Sequence, residues 1–170
     1  MDDAVAVSTI HVEAWQVAYR NLLPASLLDG LNVEERTQSW TEWIKRSLSG
    51  SPTDGDAPLQ RLIVAECAGD IVGWATFGGG RDVGTEQQGE LAGLYVHPQH
   101  WGGGFGFELL QRAEQELTIA GFVDQFLWVM AGNARAMSFY ERHGWRADGQ
   151  QKLFVLGRDA EVEGLRYVRQ

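Results

Sequence analysis

The residues best suited to chemistry lie between Leu91 and Leu110, where the apolar run Leu91-Ala92-Gly93-Leu94-Tyr95-Val96 passes through Gly102-Gly103-Gly104-Phe105-Gly106 into a helical pattern. A strand that empties through a glycine-rich turn into a helix is an anion cradle. The first N–H groups of the helix lack partners and carry the positive end of its dipole. Gly102, Gly104 and Gly106 let the backbone approach a ligand closely, and a pyrophosphate suits the cradle best. Two common nucleotide signatures are absent. A P-loop ends in Gly-Lys-Ser/Thr, and no lysine follows these glycines; the dinucleotide fingerprint needs glycines at offsets zero, two and five, and the last place counted from Gly102 is Phe107.

The elements that must hold this cradle are legible around it. Phe105, Leu109, Ala113, Leu117 and Ala120 form a helical stripe that stops at Gly121, and the apolar stretch Phe122 to Met130 reads as a strand buried on both faces. Strand, helix and strand make a right-handed crossover with parallel strands. Asn133 is the expected N-cap of a further helix that ends at His143-Gly144. Upstream, Val5, Ser8, Val12, Trp15 and Tyr19 recur at steps of three and four, and a second helix runs from about Val33 to Leu48 with Trp40, Trp43 and Ile44 on its apolar side. Leu62 to Ala65 and Ile71 to Phe77 flank Ala68-Gly69-Asp70 as a hairpin. Gly78-Gly79-Gly80 then reads as a flexible loop that continues from Arg81 to Gly89. Lys152 to Leu156 and Gly164 to Val168 read as a closing hairpin, and the turn-former cluster Ser49 to Pro58 reads as a surface loop. The expected fold is α+β: a mixed, mostly antiparallel sheet with a central parallel strand pair and helices on both faces, in one domain over residues 1–170.

Bulk properties narrow the function. A net charge of −9 with 14 dispersed basic residues argues against nucleic acid as a partner, and a cationic amine substrate or a merely solvated acidic surface both accord with it. The longest apolar run, Phe126 to Ala131, is too short to span a bilayer, so no membrane is expected. No secretory signal is readable at Met1-Asp2-Asp3-Ala4, and the single Cys67 forms no internal disulfide, so the cytoplasm is the expected location. No spacing of His, Asp, Glu or Cys suggests a metal site.

Two blocks carry a family resemblance. Tyr95-Val96-His97-Pro98-Gln99-His100-Trp101-Gly102-Gly103-Gly104-Phe105-Gly106 resembles the acyl-CoA-binding motif of the GNAT acetyltransferase superfamily, Gln/Arg-x-x-Gly-x-Gly/Ala after a strand ending in Val-x-Pro. Asn133-Ala134-Arg135-Ala136-Met137-Ser138-Phe139-Tyr140-Glu141-Arg142-His143-Gly144-Trp145 resembles the family's Asn-x-x-Ala-x-x-x-Tyr-x-x-x-Gly-Phe segment, with Trp145 in the aromatic place. Trp101 departs from the pattern: it stands where a Gln or Arg helps hold the pyrophosphate, while the backbone donors remain.

The resemblance implies an N-acetyltransferase that passes the acetyl group of acetyl-CoA directly to a primary amine, on a small molecule or on a protein N-terminus or lysine. Such a reaction needs a neutral amine, donors for the developing oxyanion and a proton for the departing thiolate. The backbone of Leu94, Tyr95 and Val96 would pair with the pantetheine amides where two parallel strands part. Trp101 and Gly102, Gly103, Gly104, Phe105 and Gly106 would hold the pyrophosphate, and Asn133 and Tyr140 would face the pantetheine and the thioester. Tyr140 is the implied general acid; by residue type alone it is equally a core anchor beside Ala136, as Asn133 is equally a plain helix cap. Glu90, at the start of the strand, is the candidate base, with a simply solvated carboxylate as the other reading. His97 and His11 are weaker candidates and read as structural. Trp15, Tyr19, Trp40 and Trp43 read as core; if they line the acceptor pocket, they favour an acceptor with an apolar body and an amine head, with Glu13 supplying charge. A non-catalytic acyl-CoA-binding sensor or partner module is the alternative, favoured by Trp101 and opposed by Tyr140 and Asn133. Oligomeric state, a homodimer included, stays open.

Overall fold

The computed structural model describes residues 3–49, 60–157 and 160–169. Of the expected surface loop Ser49 to Pro58, residues 50–58 lie outside them, and Ser49 closes a helix. The chain opens with helices α1 (Asp3–Ala18), α2 (Ala25–Asp29) and α3 (Val33–Ser49), then strands β1 (Gln60–Cys67), β2 (Asp70–Gly79) and β3 (Gly89–Val96). A short 3-10 turn at Pro98–His100 leads to α4 (Phe105–Ile119), β4 (Gln125–Met130), α5 (Ala134–Arg142), β5 (Trp145–Leu156) and β6 (Ala160–Arg169). The strands form one sheet in the order β1-β2-β3-β4-β6-β5. Neighbouring strands are antiparallel, save for β3 and β4, which are parallel.

Alternation of side chains along the strands divides the core into two layers. On one face Ala75, Phe77, Leu91, Val96, Leu127 and Val129 meet Leu109, Leu110, Ala113 and Leu117 of α4, together with Tyr140 and Trp145. On the other face Trp74 packs against Val7 and Ile10 of α1, with Trp40, Leu62, Ile71 and Tyr95 at the margin. Helices therefore cover both faces, as the periodicity predicts. The buried surface of α1 is wider than the stripe read from sequence, taking in Ala4, Ala6, Val7, Ile10 and Ala14, because α3 packs on its outer side while the sheet takes its inner side.

Three expectations are corrected. Gly78-Gly79-Gly80 is not a flexible loop: Gly78 and Gly79 pair with Glu90 and Gly89, and the Gly80 N–H donates to the Gln88 carbonyl at 2.8 Å. A Cβ on Gly80 would fall 2.3 Å from the Thr85 carbonyl oxygen, so glycine is needed there for closeness and not for mobility. Strand β4 starts at Gln125, not Phe122, and β5 starts at Trp145, seven residues before Lys152, with a bulge between Ala147 and Gln151 that lets a polar, outward-facing stretch remain in the sheet. The five-residue α2 carries too little periodicity to be read in advance.

Candidate active site

Parallel pairing between β3 and β4 lasts for three residue pairs, Gly89 with Gln125, Glu90 with Phe126 and Leu91 with Leu127. Beyond these the strands part, while β2 keeps hold of the other edge of β3 through the pairs Ala75–Leu94, Trp74–Tyr95 and Gly73–Val96. The His97 N–H donates to the Val72 carbonyl at 2.8 Å. By the alternation of an antiparallel ladder, Leu94 and Val96 then turn their N–H and C=O groups away from β2 and into the gap. The gap is a cavity of about 910 Å³ whose walls are Leu91 to Val96, Trp128 to Met130, Tyr19 at the end of α1, the turn after β3 and one face of α5.

The turn behaves as the glycines require. Gly102 and Gly104 hold φ of 81° and 91°, in the left-handed region that glycine enters without penalty. Gly104 caps α4 without any side-chain hydrogen bond, and the N–H groups of Phe107 and Glu108 already bond back to its carbonyl. The donors left open at the helix start are therefore those of Phe105 and Gly106, at the positive end of the dipole. Gly102, Gly104 and Gly106 border the cavity; Gly103 sits against the Phe105 ring, which turns away into the core beside α4.

Trp101 borders the cavity too, but its indole N–H donates to the Val96 carbonyl at 2.7 Å, and the Arg135 guanidinium lies 3.8 Å from the ring centroid. The residue in the Gln/Arg position thus ties the turn to the end of β3 and carries a cation on its face.

Helix α5 starts at Asn133, whose Oδ1 accepts from the Ala136 N–H at 3.1 Å, so the amide caps the helix while the residue lines the cavity. Seven residues on, Tyr140 is only 9 % exposed and belongs both to the core and to the cavity wall. Burial, and then the neighbouring Tyr95, push its phenol well above the ordinary value. Burial raises Tyr95 as well, against the pull of the Trp15 and Tyr19 side chains. The Tyr19 phenol is likewise raised, chiefly by burial and then by the neighbouring Tyr95. Three phenols and one amide thus meet at the head of the cavity. Sequence reading singled out Tyr140 and Asn133 but missed the Tyr95 side chain and Arg135, and read Tyr19 as core with the acceptor pocket as its other reading. The last place of the α1 stripe was the available signal for Tyr19.

The structure places the remaining candidates elsewhere. Glu90 is 1 % exposed and does not border the cavity. Its Oε1 accepts from Arg81 Nη2 at 2.6 Å, and its Oε2 from Arg81 Nε at 2.9 Å and from the Arg81 backbone N–H at 3.0 Å. Both carboxylate oxygens are thus turned to Arg81 and away from the cavity. The next residue, Asp82, accepts from Lys152 at 2.6 and 2.8 Å and from the Trp128 indole at 2.8 Å. Burial alone would raise Asp82, and these donors overcome it, leaving the carboxyl below its ordinary value. His11 is enclosed by Trp15, Trp40, Trp74 and Tyr95, and burial, with help from Arg36, lowers it to about 3. His97 Nε2 meets Glu13 at 2.7 Å and its Nδ1 accepts from the Gln99 N–H, so Glu13 ties α1 to the turn instead of charging an acceptor pocket. Of Trp15, Tyr19, Trp40 and Trp43, Tyr19 alone lines the cavity.

Comparison with known proteins agrees with this geometry. The model of the acetyltransferase (GNAT) family matches residues 18–145. The chain is 27% identical over 165 residues to the uncharacterized N-acetyltransferase YuaI of Bacillus subtilis (strain 168), covering 97% of this chain and 87% of that protein. Its fold is similar to that of the PaiA N-acetyltransferase of Thermoplasma acidophilum, solved in complex with coenzyme A, with a TM-score of 0.73 at 18% identity over 97% of this chain and 92% of that one. It is also similar to the ribosomal-protein-alanine N-acetyltransferase of Brucella melitensis, with a TM-score of 0.69 at 24% identity over 98% and 93% of the two chains. The matched segment holds the parted strands, the uncapped helix start and the Asn133–Tyr140 face, and the chain belongs to the GNAT acetyltransferase family.

Proposed function

We propose that this chain transfers the acetyl group of acetyl-CoA directly to the primary amine of a small molecule or of a protein N-terminus or lysine. The observation that supports it best is the parting of β3 from β4, which gathers a free strand edge, an uncapped helix start and the Asn133–Tyr140 face around one cavity. Acetyl-CoA, when bound, supplies an acyl group activated as a thioester. The open N–H groups of Phe105 and Gly106 suit its diphosphate, and the outward edge at Leu94 suits the amides of its pantetheine arm, which would add to β3 as a strand does.

Tyr140 holds a proton at its phenol oxygen throughout the neutral range, burial raising it further, and offers that proton to the sulfur as the C–S bond breaks, the phenolate then taking back the proton that the attacking nitrogen releases as the amide forms. Tyr19 and Tyr95 border the same space as neutral hydroxyls for the acyl oxygen or the entering amine. Glu90 we assign to holding Arg81, not to proton transfer. The acceptor then sheds its ammonium proton to solvent before attack, and kcat/KM should rise with pH along the acceptor's own ionisation.

Calorimetry with acetyl-CoA, paired with a free-thiol assay over a panel of amines, tests this. Micromolar binding that survives Tyr140→Phe but is lost in Gly104→Glu supports the reading. No binding by the wild type would sink it, and binding with no thiol release from any amine would favour the non-catalytic module.

A further inference from the structure

The departure at position 101 removes the side chain that in the motif reaches the anion, and the structure shows what has replaced it. Trp101 is fixed at both ends. Its indole N–H is spent on the Val96 carbonyl at 2.7 Å, and its ring face carries Arg135 at 3.8 Å. Arg135 comes from the first turn of α5, and both residues border the cavity on the side of Gly102 and Gly104. No carboxylate pairs with Arg135 among the described residues. Desolvation, and then Arg142 of like sign, weigh against its charge, so an anion is what this guanidinium lacks.

We propose that Arg135, propped on the face of Trp101, is the cation that holds the coenzyme A diphosphate in this chain, doing from α5 what the missing Gln or Arg would do from the turn. The inference rests on the acetyl-CoA reading above. A guanidinium is suited to the task because it can stack on an indole through its plane and still present N–H donors along its edge to phosphate oxygens. Trp101 is a positioning residue: its hydrogen bond to Val96 sets the ring, and the ring sets the guanidinium. The two residues stand thirty-four apart in the chain, and the pair therefore links the turn before α4 to the start of α5.

The test is calorimetry of the full chain with three thioesters: acetyl-CoA, acetyl-dephospho-CoA, which lacks the 3′-phosphate, and S-acetylpantetheine, which lacks every phosphoanhydride oxygen. Arg135→Ala should weaken the first two alike, by about 30-fold, as expected for losing hydrogen bonds to a charged group, and leave the third unchanged. Trp101→Leu should lose most of the same factor, and the double variant should lose little more than Arg135→Ala alone, because both changes remove one interaction. Restoring the motif with Trp101→Arg in the Arg135→Ala background should recover affinity. In turnover, Arg135→Ala should raise KM for acetyl-CoA and spare kcat. Undiminished acetyl-CoA affinity in Arg135→Ala, or an equal loss on S-acetylpantetheine, overturns the proposal. A loss confined to acetyl-CoA overturns it in favour of a 3′-phosphate contact, and additive losses in the double variant overturn the role of Trp101. Failure of the wild type to bind any of the three would remove the acetyl-CoA reading itself, an outcome distinct from binding that ignores Arg135.

Discussion

Among single residues the decisive contrast is between Tyr140 and Glu90. Tyr140 keeps a proton beside the cavity, and both Glu90 oxygens are held by Arg81 away from it. Tyr140→Phe should lower kcat by about 100-fold or more with KM for acetyl-CoA little changed, as loss of a general acid does. Glu90→Gln should leave the pH profile of kcat/KM in place and lower stability by about 2 kcal/mol, since Arg81 is left half-buried with a weaker partner. A displaced pH limb would instead make Glu90 a base. His11 supplies a second pH test. Its folded value lies below its unfolded one, so nothing is lost above about pH 6.5; as pH falls from there toward 3 the unfolded chain takes up a proton that the folded chain refuses, and stability drops. Urea titrations of His11→Phe should show a flatter acid limb than the wild type. None of these partners was legible in sequence. Arg81 reaches Glu90 across a folded loop, and only the folded chain brings His11 against Trp40 and Trp74, far along the chain.

For the elements, most of the layout followed from local signals: α4 recurs at helical spacing up to Gly121, β3 holds a continuous apolar run, and α5 starts at the Asn133 cap and ends before Gly144. What escaped were stretches ruled by contacts rather than by pattern. Gly78 to Gly80 looked mobile because glycine is silent about why it is there. The reason is steric: the Gly80 to Gln88 loop folds back so tightly that Thr85 occupies the place of a side chain. Gly80→Ala should therefore cost about 2 kcal/mol, read as a lower urea midpoint at unchanged slope, because backbone must move to admit one methyl group. The same loop sends Arg81 to β3 and Asp82 to Trp128 of β4 and Lys152 of β5, so its displacement should also raise KM for the acceptor. The first half of β5 escaped for the opposite reason, its outward polar residues giving no apolar alternation to read.

Across the whole molecule, the cavity is walled by parts of unequal legibility. The turn before α4 and the helix α5 carry motifs, whereas α1 contributes Tyr19 and its Glu13 anchor with no motif at all. The sheet itself amounts to two three-stranded leaves, β1-β2-β3 and β4-β6-β5, stitched by the three residue pairs from Gly89–Gln125 to Leu91–Leu127. Any molecule that lies along the open edge of β3 lengthens that seam. Saturating acetyl-CoA, at about 100 times its Kd, should accordingly raise Tm by about 5 to 10 °C. Amide exchange should slow on both leaves, including residues that never touch the ligand. On the proposed function, the seam that joins the two leaves borders the space the coenzyme fills, so occupancy and folding stability are thermodynamically linked, and the chain would unfold more readily where acetyl-CoA is scarce.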